Sequence, residues 1–93
     1  MQAVRVRIFG QVQGVGYRQW VEVTARANGL TGWVRNRADG SVEAIFQGTV
    51  VQVQQIVADC RRGPISARVS HVESEEVSFD PALAASFVRL STV

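Results

Sequence analysis

The spacing of hydrophobic residues changes from that of a strand to that of a helix across a short glycine-rich segment. Residues 3–10 alternate between apolar and arginine or aromatic side chains, which predicts a half-buried strand. Residues 18–30 carry a broad apolar stripe at helical spacing, and Asn28-Gly29 suits the helix end. The intervening segment, "GQVQGVGYR" at residues 10–18, contains three glycines. Glycine inside a helix or strand costs roughly 0.5–1 kcal/mol relative to alanine, so the cluster predicts a turn whose backbone needs positive φ.

The remaining chain continues with strands and one more helix. Asp39-Gly40 between two strand-like runs predicts a hairpin, and an apolar 3.6-residue repeat predicts the second helix. A slip in alternation predicts a β-bulge near Ser70-His71. The segments are strands at 30–36 and 41–48, a helix from Val50 to Arg62, a long strand candidate at 65–79 and a short final strand within 86–93. This order predicts an α+β, ferredoxin-like split βαβ sandwich (βαββαβ), an antiparallel sheet with two helices on one face and a short extra C-terminal strand.

Length and composition exclude several classes of protein. A chain of 93 residues with 46% hydrophobic content predicts one domain, residues 1–93, with one core. One cysteine and one histidine cannot form an internal disulfide or a structural zinc site. No apolar run could span a membrane, and the N-terminus does not resemble a signal peptide, so we expect a cytoplasmic protein. All ten basic residues are arginines, which excludes chemistry that needs lysine.

The glycine segment has the features of an anion site. Positive-φ glycines can turn successive N–H groups toward one point, and the N-terminus of the following helix favours negative charge. Arg18 falls at or near the first helical position, where its guanidinium could hold two phosphate oxygens. The alternative is a tight turn with a solvated Arg18. The dinucleotide-binding fingerprint is not matched, because Gln19 stands where its third glycine is required.

Asn36 ends a strand immediately before the predicted hairpin. Its amide could hydrogen-bond a water or a ligand, although asparagine is also common at strand ends.

Together, "GQVQGVGYR" and "GLTGWVRNRADGSVE" resemble the two signature segments of the acylphosphatases, and "CRRGPISARVSHVE" is similar to a third, weaker block. The resemblance covers residues 4–90 and implies metal-free hydrolysis of acyl phosphates, without a cofactor, on the βαββαβ fold. It implies that Arg18 and the backbone of Gln13, Gly14, Val15, Gly16, Tyr17 and Arg18 bind the phosphate. Asn36 would orient the attacking water, and the substrate's own phosphate would accept the proton. Tyr17 departs from the phenylalanine common in the family, so its hydroxyl needs water or a protein partner.

Two other readings of the chain remain. One is a non-catalytic anion- or nucleic-acid-binding module on the same fold, although no aromatic-rich RNA-binding strand motif is present. The other is a domain that serves a larger carbamoyl-phosphate-handling enzyme, although the chain resembles a free-standing one. We expect a monomer that binds a small acyl phosphate, with inorganic phosphate as product and inhibitor, and no nucleic-acid or membrane partner. Cys60 is expected to be a buried structural thiol, and His71 to have no catalytic role.

Overall fold

The computed structural model describes the whole chain, Met1–Val93. Five strands and two α-helices follow one another in the predicted order. They are β1 (Gln2–Gln11), α1 (Tyr17–Ala27), β2 (Thr31–Asn36), β3 (Val42–Gly48), α2 (Val50–Arg62), β4 (Arg68–Val77) and β5 (Phe87–Arg89), with a short 3₁₀ helix at Pro81–Leu83.

The strands form one sheet in the order β4-β1-β3-β2-β5. The first four strands pair in antiparallel fashion, as the ferredoxin-like pattern predicts. β5, whose sheet edge the sequence left open, pairs in parallel with β2. The apolar side chains of β1 and β3 pack with those of the two helices in one core of 18 buried residues. The α+β fold is therefore confirmed, and the opposite face of the sheet carries no α-helix.

The predicted bulge lies in the pairing of β1 with β4. Phe9 pairs with His71 and Gly10 pairs with Val69, so Ser70 is an extra residue in β4. Gly10 has φ +127°, and a Cβ atom there would clash with the carbonyl oxygen of Arg68. The position therefore needs glycine because another backbone approaches it closely.

The ends of the second helix follow from local hydrogen bonds. Thr49 caps its N-terminus in a capping box with Gln52. At the other end Gly63 adopts φ +67°, and Pro64 prevents a further helical turn. The long strand predicted from residue 65 starts only at Arg68, because the intervening residues form a turn in which Ala67 N–H donates to the Pro64 carbonyl. The final strand predicted within 86–93 is regular only over Phe87–Arg89.

Candidate functional site

The loop between β1 and α1 has the backbone conformation that its glycines predict. Gly14 has φ +74° and Gly16, the N-cap of α1, has φ +80°. A Cβ atom at either position would have no heavy atom within 4 Å. These glycines are therefore required by their left-handed backbone and not by crowding.

The same loop presents a set of free backbone donors. None of the N–H groups of residues 13–18 donates to a protein acceptor. Helix α1 has no acidic residue in its first turn and no side-chain cap at its N-terminus. Free N–H groups and the positive end of the helix dipole together create a site suited to an anion.

Arg18 is the second residue of α1, next to these donors. Its Nη1 donates to the Leu90 carbonyl, 3.0 Å away, and it forms no ion pair with a carboxylate. A neutral carbonyl leaves the positive charge of the guanidinium uncompensated, so Arg18 remains available to an anion.

Asn36 reaches this region from the end of β2. Its Oδ1 atom is buried and has no hydrogen-bond partner in the protein. A buried amide oxygen without a donor is costly, and it suggests that a water or ligand completes the arrangement.

One cleft of about 200 Å³ brings these groups together. Val15, which the sequence analysis included among the phosphate-binding residues, does not line this cleft. Its side chain packs against the core, and its carbonyl accepts a 2.8 Å hydrogen bond from Ser66 Oγ. The cleft contains no carboxylate, histidine or cysteine side chain. Its lining residues are Val12, Gln13, Gly14, Gly16, Tyr17, Arg18, Gln19, Asn36 and Arg89.

Gln13 has a side-chain role that the sequence did not suggest. Its Nε2 donates to the carbonyls of Arg37 and Ser41, each at 2.8 Å. These carbonyls belong to the connection that follows Asn36, so the Gln13 side chain fastens the glycine loop to the β2–β3 hairpin. Only the fold could reveal this contact, because its partners lie 24 and 28 residues away.

Tyr17 contributes mainly through its position in the core. Its ring is buried, and its hydroxyl donates to the Cys60 carbonyl at 2.7 Å. Burial raises the pKa of the Tyr17 hydroxyl well above its ordinary value, so the hydroxyl stays protonated and donates. The departure from phenylalanine is thus accommodated by a specific hydrogen-bond partner.

Arg89 is a second cation at the cleft that sequence reasoning missed. β5 pairs with β2 so that Arg89 lies opposite Val34, two residues before Asn36. Its Nε is 3.9 Å from a carboxylate oxygen of Glu22, and the side chain is 46% exposed. The chain offers no local signal for this placement, because a strand of three residues shows no useful periodicity.

Other reactive side chains lie outside the cleft. Burial raises the pKa of the Cys60 thiol to about 12, as expected for a structural thiol. His71 lies 3.3 Å from exposed Glu73 on β4. No group of three or more His, Cys, Asp or Glu residues is placed to hold a metal ion, and no helix has the length and apolar character to span a bilayer.

The sequence matches one family of known proteins. The family model described as acylphosphatase matches residues 4–88. An acylphosphatase of Bradyrhizobium diazoefficiens is 58% identical over 77 residues, which cover 83% of this chain and 78% of that one.

Solved structures share the complete fold. The acylphosphatase from Bacillus subtilis superposes with a TM-score of 0.90 at 31% identity, covering 97% of this chain and 99% of that chain. Full-length HypF in its phosphate- and nucleotide-bound form gives a TM-score of 0.88 at 25% identity. That match covers 98% of this chain and 12% of HypF, so the fold also occurs as a small part of a larger protein.

Proposed function

The chain belongs to the acylphosphatase family, hydrolases that act on acyl phosphates, and we propose specific roles for its residues in that reaction. Arg18 and the backbone N–H groups of residues 13–18 bind the phosphate of the substrate. Asn36 orients the water that attacks the phosphorus atom. The products are a carboxylate and inorganic phosphate.

The observation that supports this proposal is that the free N–H donors of the loop, Arg18 and the unpaired Asn36 amide line one cleft. The loop N–H groups have no protein acceptor and Arg18 has no carboxylate partner, so both can donate to the negatively charged oxygens of a phosphate. On another side, Asn36 lines the same cleft with an amide whose Oδ1 has no partner in the protein, and this amide can hydrogen-bond the attacking water. Water held in this way directs an oxygen lone pair toward the phosphate, as in-line attack requires.

The proposed chemistry balances without a protein base. The water oxygen forms a bond to phosphorus while the bond from phosphorus to the acyl oxygen breaks, and the leaving group departs as a carboxylate. The lining of the cleft contains no side chain able to take the proton of the water. We therefore assign that proton to an oxygen of the substrate's own phosphate.

Charge stabilisation comes from arginine in this proposal. Phosphoryl transfer depends chiefly on positioning and on neutralising charge spread over the phosphoryl oxygens. Arg18 and the helix N-terminus supply that charge, and Arg89 makes the rim of the cleft more positive. We propose that no metal takes part, since a carboxylate leaves readily.

We also propose that the protein acts as a monomer in the cytoplasm. The only cysteine is a buried free thiol, which is compatible with a reducing compartment.

Two variants test the site, with benzoyl phosphate as substrate and inorganic phosphate as competitive inhibitor. For Arg18→Gln we expect loss of measurable turnover and a raised inhibition constant for phosphate, because the lost contact is charge-assisted and worth about 1.5–3 kcal/mol. For Asn36→Ala we expect kcat to fall about 10²–10³-fold with a nearly unchanged phosphate inhibition constant.

Arg61→Gln serves as the matched control, because Arg61 is an exposed arginine in the last turn of α2. Its kinetics should match those of the wild type. Wild-type turnover in a folded Arg18→Gln variant would refute the phosphate-binding role. If Asn36→Ala lost phosphate affinity but kept its kcat, the water-orienting role would be wrong.

A further inference from the structure

The two neighbours of Asn36 in the chain are both held by one acidic residue. Arg35 and Arg37 place guanidinium nitrogens 2.8 and 3.0 Å from Oε1 of Glu43. Arg35 pairs with Glu43 across β2 and β3, on the sheet face that carries no α-helix. Asn36 faces the other side, toward the cleft. Glu43 therefore lies outside the cleft, yet it is bonded to the residue before Asn36 and to the residue after it.

Glu43 is a buried charge with three cationic partners. Its side chain is 2% exposed, and Arg5 approaches Oε2 at 2.9 Å in addition to the two arginines of the hairpin. Burial raises the pKa of Glu43, but the hydrogen bonds from Arg35 and Arg37 outweigh it, and the net pKa lies below its ordinary value. The carboxylate is thus charged at neutral pH and holds both arginines through charge-assisted bonds.

The backbone of Asn36 is held at the end of β2, but its side chain has no partner in the protein. Asn36 pairs with Val42 of β3, and its carbonyl accepts a 3.1 Å hydrogen bond from the Val93 N–H. Its side-chain oxygen has no protein partner that could fix its orientation. The direction of the amide therefore depends on the backbone. The bonds from Glu43 to Arg35 and Arg37 help to hold that backbone in place.

We propose that Glu43 is a positioning residue for Asn36, acting across the sheet through Arg35 and Arg37. The inference rests on the proposed function, because it assumes that Asn36 orients the attacking water. Glu43 touches neither substrate nor cleft. Its loss should therefore impair the approach of the water and leave phosphate binding intact.

The variant Glu43→Gln tests this, because it keeps the shape of the side chain and removes its charge. A misplacement of about 1 Å can cost on the order of 10²-fold in rate, so we expect kcat for benzoyl phosphate to fall about 10- to 100-fold. The inhibition constant of inorganic phosphate should stay near the wild-type value. Glu75→Gln is the matched control, because this exposed glutamate on the same face pairs with Arg5 only at 3.7 Å, and its kcat should not change.

A double-mutant cycle separates positioning from a general loss of stability. If Glu43 acts through Asn36, then adding Glu43→Gln to Asn36→Ala should cause no further loss of kcat. Equal losses in both backgrounds would overturn the proposal, and so would an unchanged kcat in folded Glu43→Gln. If Glu43→Gln does not fold, Arg37→Gln, which removes one of the bonds to Glu43, replaces it in the same cycle with the same expectations.

The outcome also distinguishes this proposal from the proposed function. A normal kcat in Asn36→Ala would refute the role of Asn36 itself. A low kcat in Asn36→Ala beside a normal kcat in Glu43→Gln would refute only the role of Glu43.

Discussion

The hydroxyl of Tyr17 replaces a hydrogen bond that helix α2 cannot make for itself. In a continuing helix the Cys60 carbonyl would accept from the N–H of residue 64, but residue 64 is a proline and has no N–H. Tyr17 donates to this buried carbonyl instead, at 2.7 Å. The bond joins the start of α1, beside the phosphate loop, to the end of α2. Tyr17→Phe removes only the hydroxyl and leaves the carbonyl without this donor.

The expected cost follows from that geometry. A hydrogen bond contributes about 0.5–1.5 kcal/mol net, whereas a buried acceptor left without a donor costs about 1–3 kcal/mol. Both Tyr17 and Cys60 are almost fully buried, so water cannot readily replace the hydroxyl. We therefore expect Tyr17→Phe to lower the free energy of unfolding by about 1–3 kcal/mol. Each kcal/mol corresponds to a fall in Tm of roughly 4–8 °C for a domain of this size.

Urea denaturation and calorimetry measure this loss. The denaturation midpoint should fall with an unchanged slope, since the surface exposed on unfolding is the same. Ser66→Ala is the matched control, because it also removes a hydroxyl that donates to a backbone carbonyl, that of Val15, but at an exposed position. Its cost should stay within about 0.5 kcal/mol. If Tyr17→Phe were as stable as the wild type, the Cys60 carbonyl would not depend on Tyr17, and the reasoning would be refuted.

Four further outcomes are expected from the site and its surroundings. Exhaustive dialysis against EDTA should leave hydrolysis of benzoyl phosphate unchanged, and restoration of lost activity by Mg²⁺ or Zn²⁺ would contradict the metal-free proposal. Because burial raises the pKa of the Cys60 thiol to about 12, a thiol reagent at pH 8 should label it only in urea. Gln13→Met should lower kcat for benzoyl phosphate, because it removes the two hydrogen bonds that hold the glycine loop to the β2–β3 hairpin. Because the pKa of Glu43 is lowered in the folded protein, its ionised form stabilises the fold at pH values above the ordinary glutamate pKa, and this stabilisation is lost as the pH falls through the folded pKa. The free energy of unfolding of Glu43→Gln should therefore decline less than that of the wild type in acid titrations.

Local patterns predicted the part of the site that is encoded locally. The positive φ of Gly14 and Gly16 follows from the glycine spacing, and the position of Asn36 follows from the strand and hairpin signals around it. The bulge at Ser70 was predicted by a slip in alternation. Each of these features depends on residues within a few positions in the chain.

Long-range contacts could not be predicted in the same way. Arg18 donates to Leu90, 72 residues away, and Arg89 reaches the cleft only because β5 pairs with β2. Several strand pairings are compatible with a three-residue strand, and its sequence does not select one. The contacts of Gln13 and Glu43 likewise depend on the completed sheet.

The strand order explains why a side-chain contact is needed between the glycine loop and the hairpin that carries Asn36. β3 lies between β1 and β2, so the strands that lead to the glycine loop and to Asn36 are two spacings apart, or about 10 Å. Ile8 is the last residue of β1 that pairs with β3, and its partner Val42 is the first residue of β3. Beyond that pair no strand separates the glycine loop from the end of β2, and the cleft lies over the end of β3. The Gln13 amide spans this opening to the Arg37 and Ser41 carbonyls, so this one side chain joins the glycine loop to the connection that follows Asn36.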